Sequence, residues 1–154
     1  MKEIASRDVP QANDLHTICD LIALVNEGIE AKETLTAQLV LVSREIEYYK
    51  HAARILGFAH FEPPDFWLTE NGKRYLRGVR SEQKRALLAR AVREAEIFRE
   101  LLSELKDREP TKDNVTEFLI RRTPLNRTTA RRRANTIIAW LKQTSDWSTS
   151  NKPF

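Results

Sequence analysis

Six arginines fall within RRTPLNRTTARRRANTIIAWL, residues 121–141, and no acidic residue interrupts them. Guanidinium groups fork onto phosphate or guanine, asparagine can pair with adenine, and threonine reaches phosphate or a thymine methyl. At about 100° per residue, Ala130, Ala134, Ile137, Ile138 and Leu141 gather on one face of a helix, while Thr128, Arg131, Arg132, Asn135 and Thr136 share the other. The apolar face would dock the helix and the other would meet a duplex. Arg127 opens this helix, and Thr128 and Thr129 set hydroxyls beside the free N–H groups of its first turn, where the helix dipole favours a phosphate. Arg133 lies at the margin of the apolar face, a place for a snorkelling side chain or a carboxylate partner. The competing reading is a solvated arginine face, or one paired with the glutamates of the preceding long helix; the lack of acids in the segment argues against it.

A second outward row stands in SREIEYYKHAARILG, residues 43–57, where Arg44, Glu47, Tyr48, His51 and Arg54 oppose an inward row of Ile46, Tyr49, Ala53 and Leu56. Its charge is mixed. A carboxylate can accept from cytosine N4 but repels phosphate, so this helix reads as DNA-facing or, alternatively, protein-facing. His60, Lys73 and Arg74 are further candidates for backbone contacts, with ordinary surface charge as the equal alternative. Phe58, Phe61, Phe66, Trp67 and Tyr75 read as packing groups of a wing and core rather than base-stacking platforms.

The elements that must hold these rows follow from hydrophobic spacing. A first helix is expected from Gln11 to Glu27, a short second from Thr34 to Val40, and a third from an N-cap at Ser43 through Leu56, stopped by Gly57. FAHFEPPDFWLTENG alternates aromatic and polar residues around Pro63-Pro64, which predicts a two-stranded wing turning at Glu62 to Asp65. Thr69 can cap the next helical turn. Ser81 can cap a long helix through Leu105 with Leu87, Leu88, Ala91, Val92, Ala95, Phe98, Leu102 and Leu105 as one apolar stripe. Thr111 can cap NVTEFLIRR, Pro124 forces a turn, and the last helix runs from Arg127 to Gln143.

The expected fold is therefore mostly α: a winged helix-turn-helix over residues 1–80, a long helix plus a C-terminal helix-turn-helix over 81–144, and a flexible tail or linker at 145–154. A tail of that kind suits a domain joined to a longer chain. Composition agrees with a folded, helix-rich protein of 154 residues, with 41% hydrophobic and 31% charged residues and four glycines. Charge is lopsided: residues 121–154 carry eight Lys or Arg against one acid, a net +7, leaving −3 on residues 1–120 out of a total of +4.

Enzyme chemistry finds little support. Pro64-Asp65 with Glu70 and Lys73 superficially matches a metal-dependent nuclease cluster, but two residues rather than one separate Glu70 from Lys73, and Asp65 is too near for a separate catalytic strand. His16, His51 and His60 lack metal-ligand spacing with Cys19, and no Gly-rich phosphate loop occurs. The single Cys19 suits a buried thiol in a reducing compartment. No apolar run nears the roughly 18 residues of a membrane span and MKEIASRDVP lacks signal-peptide character, so a cytoplasmic location, no membrane and no cofactor are expected.

SREIEYYKHAARILGF followed by WLTENGKRYL resembles a winged-helix module attached to restriction endonucleases and prokaryotic defence ATPases, and a segment like RTTARRRANTIIAWL completes the likeness over Leu15 to Leu141. The resemblance implies DNA recognition through helices 43–57 and 127–142, with Arg44, Tyr48, Arg131 and Arg132 at matched positions. The catalytic or ATPase portion has no counterpart here, so those activities do not transfer. The expectation is sequence-selective binding of double-stranded DNA as the target-recognition module of a restriction or defence system, as a homodimer or in a larger complex. The alternatives are a stand-alone transcription regulator, or a protein-interaction adaptor using the 82–105 stripe.

Overall fold

The computed structural model describes residues 3–150, with side chains as far as Ser145. Its elements, in chain order, are a 3-10 turn at Ser6–Asp8, α1 (Leu15–Asn26), α2 (Lys32–Leu39), α3 (Glu45–Ile55), β1 (Ala59–Glu62), β2 (Asp65–Leu68), α4 (Glu70–Arg77), α5 (Ser81–Glu94), α6 (Glu96–Leu105), α7 (Lys112–Arg122) and α8 (Arg127–Ser150). The chain is mostly helical with one small antiparallel ribbon, as its spacing predicts.

Local chemistry explains most boundaries. The Asp14 carboxylate accepts from the His16 N–H and the Thr17 hydroxyl, so α1 begins at Leu15 rather than at Gln11. Thr69 caps α4 by accepting from the Gly72 N–H at 3.1 Å, and Thr111 forms a reciprocal capping box with Asn114. Ser43 and Ser81 do not cap. The Glu45 carboxylate reaches back to the Val42 N–H at 2.9 Å instead, and Ser81 already lies inside α5. Gly57, at φ 78°, closes α3 in the left-handed region that a side chain disfavours.

The wing stands where alternation placed it. Ala59 pairs with Leu68 and Glu62 with Asp65, and the strands turn through Pro63-Pro64, joined by a cis peptide bond. Ala59 and Phe61 face the core while His60 and Glu62 face solvent. Gly72 lets α4 close against the ribbon's base, since a Cβ there would sit 2.1 Å from the Phe58 carbonyl oxygen.

The expected long helix is two helices. Ala95 leaves helical geometry at φ −61°, ψ 137°, separating α5 from α6. In an unbroken helix Ile97 would point about 180° away from Leu88, nine residues earlier. The break re-aims the second half, so that Leu88 and Val92 of α5 are buried together with Ile97, Phe98, Leu101 and Leu105 of α6. The backbone is largely satisfied through it: the Ala95 N–H still reaches the Ala91 carbonyl at 3.1 Å, and Arg99 Nη1 donates to the Glu94 carbonyl at 3.1 Å. The stripe proposed for an adaptor role is therefore mainly core.

Of the tail expected at 145–154, residues 145–150 continue α8 instead, and residues 151–154 lie outside the described residues. The Thr144 hydroxyl donates to the Trp140 carbonyl and that of Ser145 to the Lys142 carbonyl, an arrangement in which both residues remain helical.

Residues of both expected subdomains bury into one cluster. The segment preceding α1 ties them together. Ile4, Val9 and Ala12 are buried, the Ile4 N–H donates to the Arg122 carbonyl at 2.7 Å, and Asp8 pairs with Arg54 of α3 at 2.7 Å. Arg133 Nη1 donates to the carbonyls of Ser6 and Val9, and Trp140 Nε1 to that of Ala12 at 2.7 Å. This strap spans from α3 to α8.

Candidate nucleic-acid interface

The arginine-rich helix is α8, and its position is set by Asn126, Ala130, Ala134, Ile137 and Trp140. Asn126 Oδ1 accepts from the Thr129 N–H at 2.9 Å, capping the helix, and the four others are fully buried. Trp140 stacks on Phe98 of α6 with ring planes 4° apart.

Outward from this anchor stand Thr128, Arg131, Arg132 and Asn135, all exposed and within two turns of one another. Arg132 Nη2 leans on the Thr129 hydroxyl at 3.3 Å. Arg127 pairs with Glu117 of α7 at 2.7 Å, and Arg131 lies 4.0 Å from Asp113, itself 93% exposed. The acids that meet these two arginines thus come from α7, not from the long helical segment. Exposed pairs of this kind contribute about 0–1 kcal/mol, so a phosphate can displace the carboxylates at little cost.

Two expected site residues turn inward. Thr136 is buried and donates its hydroxyl to Asn13 Oδ1 at 2.6 Å, because the strap covers that side of α8. Arg54, on the supposed outer face of α3, donates to Asp8 Oδ1 at 2.7 Å and to the Arg7 carbonyl at 2.6 Å. Both hold the strap and neither is free to read bases. Arg133 occupies the margin that the helical wheel assigns it, but its partners are backbone carbonyls rather than a carboxylate. Burial lowers its pKa, with Arg132 adding to the effect.

Arg44, just ahead of α3, is exposed, and Tyr48 within it is half-buried. His51 packs edge-on against Phe61 at 4.7 Å, and burial, followed by the nearby Arg54 and Arg7 charges, lowers its pKa. Tyr48 and His51 share a cleft of about 170 Å³ with Arg133 of α8 and with Arg7 and Gln11 of the strap. The cleft thus joins two members of the α3 row to Arg133 at the margin of α8, together with strap residues that helical periodicity did not mark, while Thr128, Arg131, Arg132 and Asn135 lie outside its lining. Lys73 and Arg74 are exposed on α4, and His60 packs at a tilt against Trp67 on the wing, with ring centroids 5.1 Å apart.

Other chemistry is thin. Burial pushes the Cys19 thiol up to about 11. Among the described residues, no group of His, Cys, Asp and Glu is placed to hold a metal ion, and no helix is long and apolar enough to cross a membrane.

A family profile described as a domain of unknown function, DUF7226, matches residues 17–148. The chain belongs to that family. The DUF7226 match takes in both rows, from Arg44 to Asn135, and begins after the strap, so Arg7 and Gln11 lie ahead of it. No curated protein and no solved structure matches this DUF7226 chain.

Proposed function

We propose that this chain binds double-stranded DNA in a sequence-selective way, with the outward row of α8 as its principal reading surface. The observation that carries this reading is the acid-free set Thr128, Arg131, Arg132 and Asn135, exposed on a helix whose opposite face is locked into the core. Arginine and asparagine one turn apart can address guanine and adenine edges, and Thr128 can take a phosphate at the helix start. Tyr48 of α3 shares a cleft with Arg133 of α8, and Arg44 and Lys73 are exposed cations that a duplex could also meet.

The resemblance over Leu15 to Leu141 to winged-helix modules of restriction and defence systems supports a role in target recognition, with catalysis supplied by another domain or subunit. A single, buried cysteine thiol suits a reducing compartment such as the cytoplasm. Burial of most of the 82–105 stripe weighs against the adaptor alternative.

The decisive experiment is selection of bound duplexes from a random pool, followed by titration of the enriched sequence across salt concentrations. Affinity should fall steeply with salt, and Arg131→Ala with Arg132→Ala should together cost about 2–5 kcal/mol. Unchanged affinity in that double variant overturns the reading.

A further inference from the structure

The cleft between α3, α8 and the strap is not explained by packing alone. Its wall combines Arg7, Gln11, Tyr48, His51 and Arg133, and no carboxylate lines it. The nearest acid of the strap, Asp8, is already engaged by Arg54 at 2.7 Å. Two backbone carbonyls occupy Arg133 Nη1. Arg54 Nε donates to His51 Nδ1 at 3.4 Å, a geometry that leaves the imidazole proton on Nε2 and makes neutral His51 a donor. A volume of about 170 Å³ accommodates a tetrahedral anion together with waters of roughly 30 Å³ each.

We propose that this cleft is a phosphate-binding site, with the Arg7 and Arg133 guanidiniums supplying charge and Gln11, Tyr48 and His51 supplying neutral donors. For the source of the phosphate the inference rests on the duplex reading: a backbone phosphodiester seated here would set the register of α8 on DNA, as phosphate contacts do without reading sequence. A free phosphate-bearing small molecule shares the chemistry, and the test separates the two. Arg7 stands ahead of the family-matched span, so the charge that it brings comes from the segment preceding the DUF7226 match.

The test follows backbone amide resonances of the full chain while inorganic phosphate, and separately the selected duplex, is added. Wild type should show shifts at Val9, Gln11, Tyr48 and His51 with phosphate, and these should be lost in Arg7→Ala, an exposed side chain whose removal spares the fold. With duplex, Arg7→Ala should reduce the slope of log affinity against log salt by about one. Tyr48→Phe should weaken phosphate severalfold while the amide spectrum elsewhere is unchanged. If neither ligand moves the cleft resonances, or if Arg7→Ala leaves both responses intact, the site is wrong, and the α8 reading stands whenever duplex binding still depends on Arg131 and Arg132. If phosphate moves the cleft but no duplex binds, the site holds for a free ligand and the DNA reading falls.

Discussion

The ring of Phe98 lies parallel to that of Trp140, with centroids 5.4 Å apart, and so joins α6 to α8 across the core. Trp140 also donates its indole N–H to the Ala12 carbonyl, which places strap, α6 and α8 in one contact. Phe98→Ala should destabilise the protein by about 3–5 kcal/mol, from lost burial and the cavity left behind. Trp140→Phe keeps a ring but strands the Ala12 carbonyl, at about 1–3 kcal/mol. Urea unfolding midpoints check both values.

Arg54 and Arg132 should separate structure from recognition. Arg54→Ala breaks charged hydrogen bonds to Asp8 and the Arg7 carbonyl and should cost about 1–3 kcal/mol of stability, with a smaller effect on duplex binding than on folding. Arg132→Ala should do the reverse: a stability change within about 0.5 kcal/mol and weaker duplex binding. Parallel anisotropy and unfolding titrations of the two variants measure the contrast.

Gly72→Ala should destabilise the base of the wing by about 1–3 kcal/mol, because the new Cβ would collide with the Phe58 carbonyl, which belongs to the backbone and cannot swing away. Hydrogen exchange should show earlier opening of the amides around Phe58 and Thr69 than in wild type. Protection equal to wild type there would show that the ribbon yields without cost.

His51 makes stability depend on pH with a defined sign. Burial, with Arg54 and Arg7 adding to it, lowers its pKa in the fold, and Glu47 and Asp8 oppose that only partly. The unfolded chain therefore binds the proton more readily, and this contribution to stability is present above about 6.5 and is lost as pH falls through the folded-state value. His51→Gln should shrink the drop in urea midpoint between pH 7.5 and pH 5.5 relative to wild type.

Cys19 should resist thiol reagents in the native state. Its thiol is pushed up to about 11 by burial first, against a partly opposing hydrogen bond from Tyr75. At pH 8 about one molecule in a thousand then carries the thiolate, the reactive form. Labelling with a disulfide reagent should be slow in buffer and rapid in denaturant; rapid native labelling would mean that α1 opens locally around this residue.

Much of the fold was legible because its signals are local. Thr69 and Thr111 cap where hydroxyls precede apolar spacing, the ribbon turns at the Pro-Pro pair, and Gly57 ends α3. The division of α5 from α6 was not legible. Ala95 is a strong helix former, and only the demand that Ile97 and Leu101 share a core with Leu88 and Val92 turns it out of the helix. The candidate site divides similarly: exposure of Thr128, Arg131, Arg132 and Asn135 follows from helical spacing, whereas the inward turn of Arg54 and Thr136 depends on a strap that has no periodicity to announce it.

Sequence by itself determined the helical class, the ribbon, and an acid-free arginine row opposite an apolar face, since these rest on composition and on the 3.6- and 2-residue periods of helix and strand. Tertiary structure decided which of those arginines remain available and which hold the molecule together. Asp8, Arg54, Asn13, Thr136 and Arg133 meet across more than 40 residues of chain, and such contacts depend on how the helices pack rather than on what surrounds each residue in sequence.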